Sequence, residues 1–255
     1  MGQVLELMQA ARFVRFNRRC LDLALVLLTL PITLPVLFGL ICVLGLRRDG
    51  PVFFVSMRCG QFGTQFRFYK FRTLRLSDDA ARGVSDGFQP HLTSPFCAWL
   101  RRTRLDELPQ IFNILRGEMS WIGPRPPEPR YVALFRQEYA DVLRDKPGLT
   151  GLATLMMHRY EDQVLNGFDN AGDCEAAYVR RCIPKKLKLD RSYQANKAGG
   201  RTFLMDCWIL YETFKRISQA VFASNPGYQT VGWFRLGPKL TKTRTKNTLH
   251  SEASL

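Results

Sequence analysis

Histidines, paired cysteines and the common nucleotide-binding and ester-hydrolysing motifs are scarce or missing in this sequence of 255 residues. It has three histidines and seven cysteines, and no two cysteines form a CxxC pair, so the spacing typical of zinc sites does not occur. Residues 60–63 read Gly-Gln-Phe-Gly but lack the Lys-Ser/Thr that completes a P-loop, and there is no GxSxG motif. We therefore exclude the zinc-finger, P-loop and α/β-hydrolase classes, and interpret the cysteines as free thiols of a reducing compartment.

Acidic residues are also few relative to basic ones. The sequence contains 22 Asp and Glu against 37 Lys and Arg, a formal net charge of +15. A surplus of this size indicates an anionic partner, such as nucleic acid, phospholipid headgroups or phosphorylated substrates. Much of the excess is arginine in short groups, and the planar guanidinium is suited to two-point contacts with phosphate.

Charge is almost absent from residues 20–46, where Asp22 is the only charged side chain. As a straight helix this stretch would measure about 40 Å, more than the roughly 30 Å of a bilayer's hydrocarbon core. No small-residue cleavage site follows it, so we expect it to be retained rather than removed as a signal peptide. Such a segment favours membrane lipid as a partner and argues against nucleic acid.

Two prolines, Pro31 and Pro35, interrupt the middle of this apolar segment. Each removes a backbone donor and disfavours helical geometry in the preceding residue, so a sharp bend is expected here. Because basic residues prefer the cytoplasmic side and flank both ends, a re-entrant hairpin is the favoured prediction over a single kinked span. The arginine-rich residues 1–19 are expected to form an interfacial helix. The flanking arginines are Arg12, Arg15, Arg18 and Arg19 before the segment and Arg47 and Arg48 after it.

Composition divides the chain into a membrane part at residues 1–48, a cytoplasmic domain at 49–222 and a basic, partly disordered tail at 223–255. In the middle part, an apolar run and an alternating aromatic run flank two glycines, which predicts a β-hairpin within residues 50–75. The polar residues 76–92 are predicted to form an exposed loop. We expect the middle part to be an α/β domain dominated by helices.

Apolar spacing predicts several helices in this domain. One helix is expected to begin near residues 105–107, because a proline such as Pro109 is tolerated only in a first turn. Its buried face would carry Leu105, Leu108, Phe112 and Leu115. Further helices are predicted at 131–146, 172–193 and 201–222, the last with an apolar face of Leu204, Trp208, Tyr211, Phe214 and Val221.

Asp106 and Glu107 are the most informative pair of acidic residues. They would lie at the start of the first of these helices, with Asp106 at or beside the N-cap and arginines at 101, 102 and 104 just upstream. The positive end of a helix and nearby cations favour an ionised carboxylate at neutral pH. An ionised, positioned Asp can act as a nucleophile or bind a divalent metal. A capped surface helix with ordinary charge pairs would have the same spacing, so spacing alone leaves both interpretations open.

Two further groups of cations are candidates for binding phosphate. Arg125 lies between two prolines in the sequence Gly-Pro-Arg-Pro, and this stiff backbone suits a preorganised phosphate clamp. Lys70 and Arg72 are two residues apart and so share one face of the predicted strand. The alternatives are a surface loop for the first group and a solvated strand face for the second.

Taken in order, these segments resemble the bacterial sugar transferase family, the monotopic phosphoglycosyl transferases that begin cell-surface glycan assembly. The resemblance covers residues 17–220 and includes the proline-containing apolar segment. Its other motifs are Arg18-Arg19-Cys20-Leu21-Asp22, Gly50-Pro51-Val52-Phe53-Phe54, Tyr69-Lys70-Phe71-Arg72-Thr73, Leu100-Arg101, Leu105-Asp106-Glu107-Leu108-Pro109-Gln110, residues 112–120 (FNILRGEMS), Gly123-Pro124-Arg125-Pro126 and Pro147-Gly148-Leu149-Thr150-Gly151.

The resemblance implies a mechanism. Asp106 would attack the β-phosphate of a UDP-sugar, release UMP and hold the phosphosugar covalently until polyprenyl (undecaprenyl) phosphate accepts it. Mg²⁺ bound at Asp106 would neutralise phosphate charge, and Glu107 would assist the acceptor or position the Asp. The basic family positions that would hold phosphates are Lys70, Arg72, Arg101 and Arg125.

The resemblance also implies a re-entrant helix in the bacterial inner membrane, a catalytic domain on the cytoplasmic face and the short form of the family. UDP-sugar, polyprenyl phosphate and membrane lipid are the expected partners, with a homo-oligomer and downstream glycosyltransferases as further candidates. The sequence departs from the family pattern at residues 56–60, at Thr154, at Leu30 and within 76–92, so the sugar is not predicted. Two rival functions remain, a non-enzymatic membrane-surface scaffold and a Mg²⁺-dependent hydrolase of lipid diphosphates.

Overall fold

The computed structural model describes residues 2–47, 50–74, 94–165, 168, 171–198 and 202–222, with side chains from residue 18 onward except at residues 171, 197, 198 and 202. The predicted loop at 76–92 and the predicted tail at 223–255 lie outside the described residues. Within them, the fold is dominated by helices, as predicted, and each of its two sheets has two strands.

Helix α1 (Gly2–Leu46) contains both the predicted interfacial stretch and the apolar segment. Pro31 and Pro35 lie inside this one helix. Its part from Arg18 to Leu46 is long and apolar enough to cross a membrane, with a mean hydropathy of 2.5. Asp22, the single charged residue of the apolar segment, has hydrogen-bond partners. Its carboxylate accepts from the Ser120 hydroxyl at 2.8 Å and from the Trp121 amide at 3.0 Å.

Both sides of the proline pair pack against the same part of the protein. Val26, before the prolines, is fully buried in a cluster with Phe68 and its neighbours. Leu37, Leu40 and Leu44, after the prolines, pack in a second cluster with Phe71. Phe68 and Phe71 belong to one strand, β2 (Gln65–Phe71). The apolar side chains near the prolines remain largely exposed; they are Leu27, Leu28, Ile32, Leu34 and Val36.

The predicted β-hairpin is confirmed. Strand β1 (Phe53–Cys59) pairs antiparallel with β2, and a 3₁₀ turn at Gln61–Gly63 connects them. Phe62 and Gly63 adopt positive φ angles of 56° and 76° in this turn, which a glycine tolerates best. In the register Phe54 faces Lys70, so the end of β2 brings Lys70 to the buried face of the hairpin.

The segment that contains the acidic pair consists of three short helices. Helix α2 (Pro95–Arg102) begins after the N-cap Ser94, a 3₁₀ helix covers Leu105–Gln110, and α3 (Ile111–Arg116) follows. The predicted start near 105–107 is confirmed, but the predicted buried face is wrong for Phe112 and Leu115, which are 39% and 40% exposed. A 3₁₀ turn has three residues per turn instead of 3.6, and this shifts the phase of the helix that follows it.

The rest of the domain packs helices around a short parallel sheet. Strand β3 (Ser120–Ile122) pairs with β4 (Gly148–Thr150). The helices that follow β3 and β4 are α4 (Pro129–Leu134), α5 (Arg136–Val142), α6 (Leu152–Leu165), α7 (Ala171–Ala177), a π-helical turn at Tyr178–Cys182, α8 (Ile183–Ala198) and α9 (Thr202–Phe222). The helices predicted at 131–146, 172–193 and 201–222 therefore exist, the first two in several pieces.

Helix α9 buries a different face from the predicted one. Met205 and Ile209 contact the core, whereas Leu204, Tyr211 and Phe214 are exposed. The apolar stripe read from the sequence is real, but most of it faces away from the domain. Spacing identifies an apolar stripe on a helix without saying what covers it.

Candidate active site

The two carboxylates lie in the 3₁₀ helix Leu105–Gln110, and both are buried, at 4% and 6% exposure for Asp106 and Glu107. Arg104 precedes this helix in a left-handed conformation with φ of 59°, so the chain turns sharply between α2 and the acidic pair. Asp106 is the second residue of the 3₁₀ helix, two positions after the N-cap Arg104, so it lies in the first turn and not at or beside the N-cap as predicted. The pair is thus interior and not the capped surface helix that the spacing also allowed.

Burial has the largest effect on the pKa of Asp106. Loss of solvent and the neighbouring charge of Glu107 raise its pKa to about 6, although Lys70, Arg101 and Arg104 act in the opposite direction. A carboxyl with this pKa is still mostly ionised at neutral pH, as the sequence predicted, but its pKa lies closer to neutral pH than that of an ordinary Asp. Its Oδ1 atom is buried and has no hydrogen-bond partner.

Glu107 is held by two arginines. The Arg104 Nη1 atom lies 2.8 Å from Oε1 of Glu107. Arg125 contacts the same carboxylate with both of its terminal nitrogens, at 2.9 Å and 3.2 Å. Two-point contacts of this kind fix the plane of a guanidinium. The predicted phosphate clamp Arg125 is therefore brought to the acidic pair and oriented there by Glu107.

The backbone around Arg125 is held by the parallel sheet. The Gly123 amide donates to the Thr150 carbonyl at 2.9 Å, and the Gly148 amide donates to the Pro124 carbonyl at 2.8 Å. A Cβ on Gly148 would overlap the backbone nitrogen of Gly123, so only glycine allows this approach. The two motifs Gly-Pro-Arg-Pro and Pro-Gly-Leu-Thr-Gly thus form one unit that positions Arg125.

Lys70 and Arg101 approach Asp106 from two other segments. Lys70 is 8% exposed, and its Nζ atom lies 5.1 Å from the centre of the Phe54 ring. Arg101, in the last turn of α2, contacts the Thr73 hydroxyl at 3.5 Å. Both cations lower the pKa of Asp106. Three of the four predicted phosphate-binding cations therefore lie near the carboxylates. They are Lys70 from the hairpin, Arg101 from α2 and Arg125 from the Gly-Pro-Arg-Pro motif.

Arg72 lies in a different place from the other three. Its guanidinium is next to Gly50 and lines a small cavity that also includes Leu44 and Arg47. It is not among the main charges that act on Asp106. The strand ends at Phe71, so Arg72 does not continue the alternation that placed it on the same face as Lys70.

Asp106 offers part of a site for Mg²⁺. Among the residues that the structure describes, no group of three or more His, Cys, Asp or Glu side chains is arranged to bind a metal ion. Mg²⁺ is often held by one or two carboxylates, with phosphates and waters completing its coordination. The unpartnered Oδ1 of Asp106 fits that pattern.

Sequence reasoning assigned no role to two buried amides next to the acidic pair. Gln110 is fully buried, and neither its Nε2 nor its Oε1 has a hydrogen-bond partner. Asn113 is also fully buried, and its Nδ2 donates to the Arg67 carbonyl at 2.7 Å and to Glu118 at 2.6 Å. The signal for both was a polar residue at a helical position surrounded by apolar ones.

His158 lies within electrostatic reach of the site, since Arg104 and Glu107 both act on its pKa. Burial, followed by the charges of Arg104 and Arg216, lowers its pKa, so the imidazole is neutral at physiological pH. Its Nδ1 atom lies 3.3 Å from the carboxylate of Asp162 on the same helix. Helix α6 therefore faces the arginines around Glu107 with a neutral histidine.

Comparison with known proteins identifies relatives. A family model described as bacterial sugar transferase matches residues 13–220. A putative undecaprenyl-phosphate N-acetylgalactosaminyl 1-phosphate transferase of Bacillus subtilis (strain 168) is 35% identical over 130 residues, 51% of this chain and 72% of that protein. The UDP-N-acetylgalactosamine-undecaprenyl-phosphate N-acetylgalactosaminephosphotransferase of Aeromonas hydrophila is 33% identical over 209 residues, 79% of this chain and 44% of that protein. The UDP-glucose:undecaprenyl-phosphate glucose-1-phosphate transferase of Escherichia coli (strain K12) is 32% identical over 170 residues, 65% of this chain and 36% of that protein. The chain thus spans less than half the length of the last two.

Proposed function

The chain belongs to the bacterial sugar transferase family, and from this premise we propose that it transfers a sugar-1-phosphate from a UDP-sugar to undecaprenyl phosphate. The products are a polyprenyl-diphosphate-sugar, which begins a surface glycan such as an exopolysaccharide, capsule or O-antigen, and UMP. The names of the Aeromonas and E. coli relatives support this proposal, because both describe such a transfer onto undecaprenyl phosphate. Those names give different sugars, so we propose the UDP-sugar class and not one sugar.

The observation that carries the proposal is the buried Asp106 carboxylate. Its Oδ1 atom has no hydrogen-bond partner, and several cations lie around it. A desolvated carboxylate of this kind is a competent nucleophile, and the cations would attract the diphosphate of the donor. In the first step an Asp106 oxygen attacks the β-phosphorus. The bond from this phosphorus to the bridging oxygen breaks, and UMP leaves with that oxygen.

In the second step an oxygen of polyprenyl phosphate attacks the phosphorus of the aspartyl phosphosugar. The bond to Asp106 breaks, which regenerates the carboxylate and completes the new diphosphate linkage. Glu107 is the positioning residue in this scheme, because it orients the guanidiniums of Arg104 and Arg125 beside the nucleophile. Lys70 and Arg101 stabilise negative charge on the transferred phosphate.

Mg²⁺ is the cofactor that we propose for this site. Asp106 would hold it, and the phosphates of the substrates would complete its coordination. When bound, the ion supplies neutralisation of phosphate charge. The orphaned Oδ1 of Asp106 supports this assignment.

We further propose that α1 is a re-entrant hairpin that enters the bacterial inner membrane from the cytoplasmic face. Val26 and Leu37 lie on opposite sides of Pro31 and Pro35, and each shares a buried cluster with a residue of strand β2. A bend at the prolines would keep both sides on the domain, and the exposed apolar side chains around the prolines are suited to lipid. The arginines on both flanks favour the same side of the membrane.

The exposed stripe of α9 supports placement of the domain at the membrane surface. An apolar helix face that no part of the described chain covers is typical of helices that lie in the lipid–water interface. Its first turns are tied to the membrane helix, because Arg18 contacts Asp206 at 3.0 Å. The exposed apolar residues of α9 are Phe203, Leu204, Tyr211, Phe214, Val221 and Phe222.

The proposal is tested by UMP release from a panel of UDP-sugars, with full-length protein in lipid nanodiscs containing undecaprenyl phosphate. We expect Asp106→Asn to lower the rate at least about 1000-fold, because the nucleophile is lost. Asp141→Asn is the matched control, since this carboxylate forms exposed pairs with Arg144 and Arg191 on the surface. It should keep the wild-type rate.

Intact-protein mass measured after incubation with donor alone tests the covalent step. The wild type should gain the mass of one phosphosugar, and Asp106→Asn should not. Full activity of Asp106→Asn, or a wild type that never gains this mass, contradicts the mechanism. Cleavage of a lipid diphosphate without any transfer would indicate the hydrolase instead.

A further inference from the structure

The membrane helix contacts both ends of the segment that bears the acidic pair. At the far end, the Arg19 guanidinium donates from Nη1 to the Ile114 carbonyl and from Nη2 to the Leu115 carbonyl, the latter at 2.7 Å. These carbonyls belong to the last turn of α3, where helix carbonyls lack partners within the helix. Arg19 therefore caps the C-terminus of the helix that directly follows Asp106 and Glu107.

At the near end, Arg47 contacts the residue that starts the same segment. Its Nη1 atom donates to the Ser94 hydroxyl at 2.6 Å. Ser94 is the N-cap of α2, and its hydroxyl accepts a hydrogen bond from the Cys97 amide at 3.2 Å. Leu44, one helical turn before Arg47, packs in the same cluster as Cys97. Arg47 thus supports the first turn of α2.

Between these two contacts the segment consists of short helices only. It comprises helices of 8, 6 and 6 residues, the middle one a 3₁₀ helix, with a left-handed residue between the first two. Helices shorter than about 12 residues are marginal unless tertiary contacts hold them. Tertiary contacts therefore fix the position of Asp106 relative to Lys70 and Arg125, and the contacts of Arg19 and Arg47 at the two ends of the segment are among them.

We propose that Arg19 and Arg47 are positioning residues for the transfer reaction. Through them the membrane helix contacts both ends of residues 94–116 and so holds the catalytic 3₁₀ helix in place. The inference rests on the proposed function for its kinetic readout. It assigns these arginines a second task besides marking the cytoplasmic flanks of the apolar segment.

The two tasks differ in what they require of the side chain. A topological signal needs positive charge, which lysine supplies equally well. Contact with two carbonyls at once needs the forked guanidinium, which lysine lacks. Charge-conserving Arg→Lys substitutions therefore remove the proposed contacts while they keep the membrane signal.

Arg18 provides a matched control. It is next to Arg19 in the same helix, but its guanidinium contacts Asp206 and Tyr193, at 3.0 Å and 3.3 Å, outside the catalytic segment. Arg18→Lys changes the same chemical group at the same flank of the membrane. It should therefore leave the geometry of the acidic pair intact.

The experiment compares Arg19→Lys, Arg47→Lys and Arg18→Lys as full-length proteins in nanodiscs. We expect the first two to lower kcat for UMP release about 10- to 100-fold with KM for the UDP-sugar changed less than about threefold, since a small misplacement costs this much. Arg18→Lys should stay within about threefold of wild type in both constants. All three should remain in the membrane fraction after alkaline carbonate extraction.

Hydrogen exchange of the amides of residues 103–110 supplies a second readout that does not depend on the reaction. Exchange there should become faster in Arg19→Lys and Arg47→Lys and stay unchanged in Arg18→Lys. Unchanged exchange, a loss of kcat equal in all three variants, or release of the Lys variants from membranes would overturn the inference. Faster exchange in an enzyme whose wild type releases no UMP would sustain the positioning role and refute the proposed function.

Discussion

Asp106→Asn should stabilise the protein at neutral pH while it abolishes transfer. The carboxylate is buried beside Glu107, and these two effects raise its pKa from 3.8 to about 6. A carboxyl whose folded-state pKa is raised favours folding only while it is protonated, so its charge weakens the fold as pH rises through this range. Asparagine has nearly the same shape and carries no charge, so it removes this cost.

The size of the effect follows from the difference between the two pKa values. The ionised carboxyl costs on the order of 3 kcal/mol of folding free energy at pH 7 relative to the unfolded chain, and less than about 1 kcal/mol at pH 4. For a domain of this length, 1 kcal/mol corresponds to roughly 2–4 °C in Tm. Asp106→Asn should therefore raise Tm by roughly 6–12 °C at pH 7, with most of the gain lost at pH 4.

The assay is thermal unfolding of wild type and variant in nanodiscs with EDTA, at pH values from 4 to 7. The quantity that matters is the change of the Tm difference with pH, because the steric effect of asparagine is the same at every pH. A difference that does not change with pH would refute the reasoning. Glu107→Gln is the matched control with the opposite sign, since it breaks contacts to Arg104 and Arg125 and should lower Tm at pH 7.

Three further substitutions test other parts of the site. Gln110→Met should raise the unfolding free energy by about 1–2 kcal/mol, because two buried polar atoms without partners are replaced by apolar ones; a lower Tm would contradict this. Asn113→Ala should lower it by about 2–4 kcal/mol, because the amide links strand β2 to α3; an unchanged Tm would count against that link. Arg125→Lys should lower kcat for UMP release about 10- to 100-fold by losing the two-point contact with Glu107. Wild-type kcat in this variant would show that the fork is not needed.

Prediction from local patterns succeeded where a short stretch of chain decides the outcome. The hairpin within residues 50–75 was predictable because alternating side chains and two glycines define strands and a turn without help from the rest of the fold. The start of a helical segment near Asp106 was predictable because Pro109 restricts the backbone next to it. The ordered motifs were also enough to indicate the family, which the match over residues 13–220 confirms.

Prediction failed where the spacing of side chains does not decide their environment. Phe112 and Leu115 have the spacing of a buried face, yet they are exposed because the 3₁₀ turn before them changes the phase of α3. Arg72 was expected beside Lys70, but β2 ends at Phe71 and Arg72 packs against Gly50 near the end of the membrane helix. In the first case the conformation of the neighbouring turn decides the outcome, and in the second the end of the strand and a contact with Gly50 decide it.

The amino-acid order determined which chemical groups this protein has, where its apolar segment lies and which stretches form strands and helices, because these depend on neighbours in the chain. Only the tertiary structure decided that Asp106 is buried with no hydrogen-bond partner for its Oδ1, that Glu107 holds Arg104 and Arg125, and that Arg19 and Arg47 contact the two ends of one segment. The physical reason is that desolvation and ion pairing depend on distances in space between groups far apart in sequence.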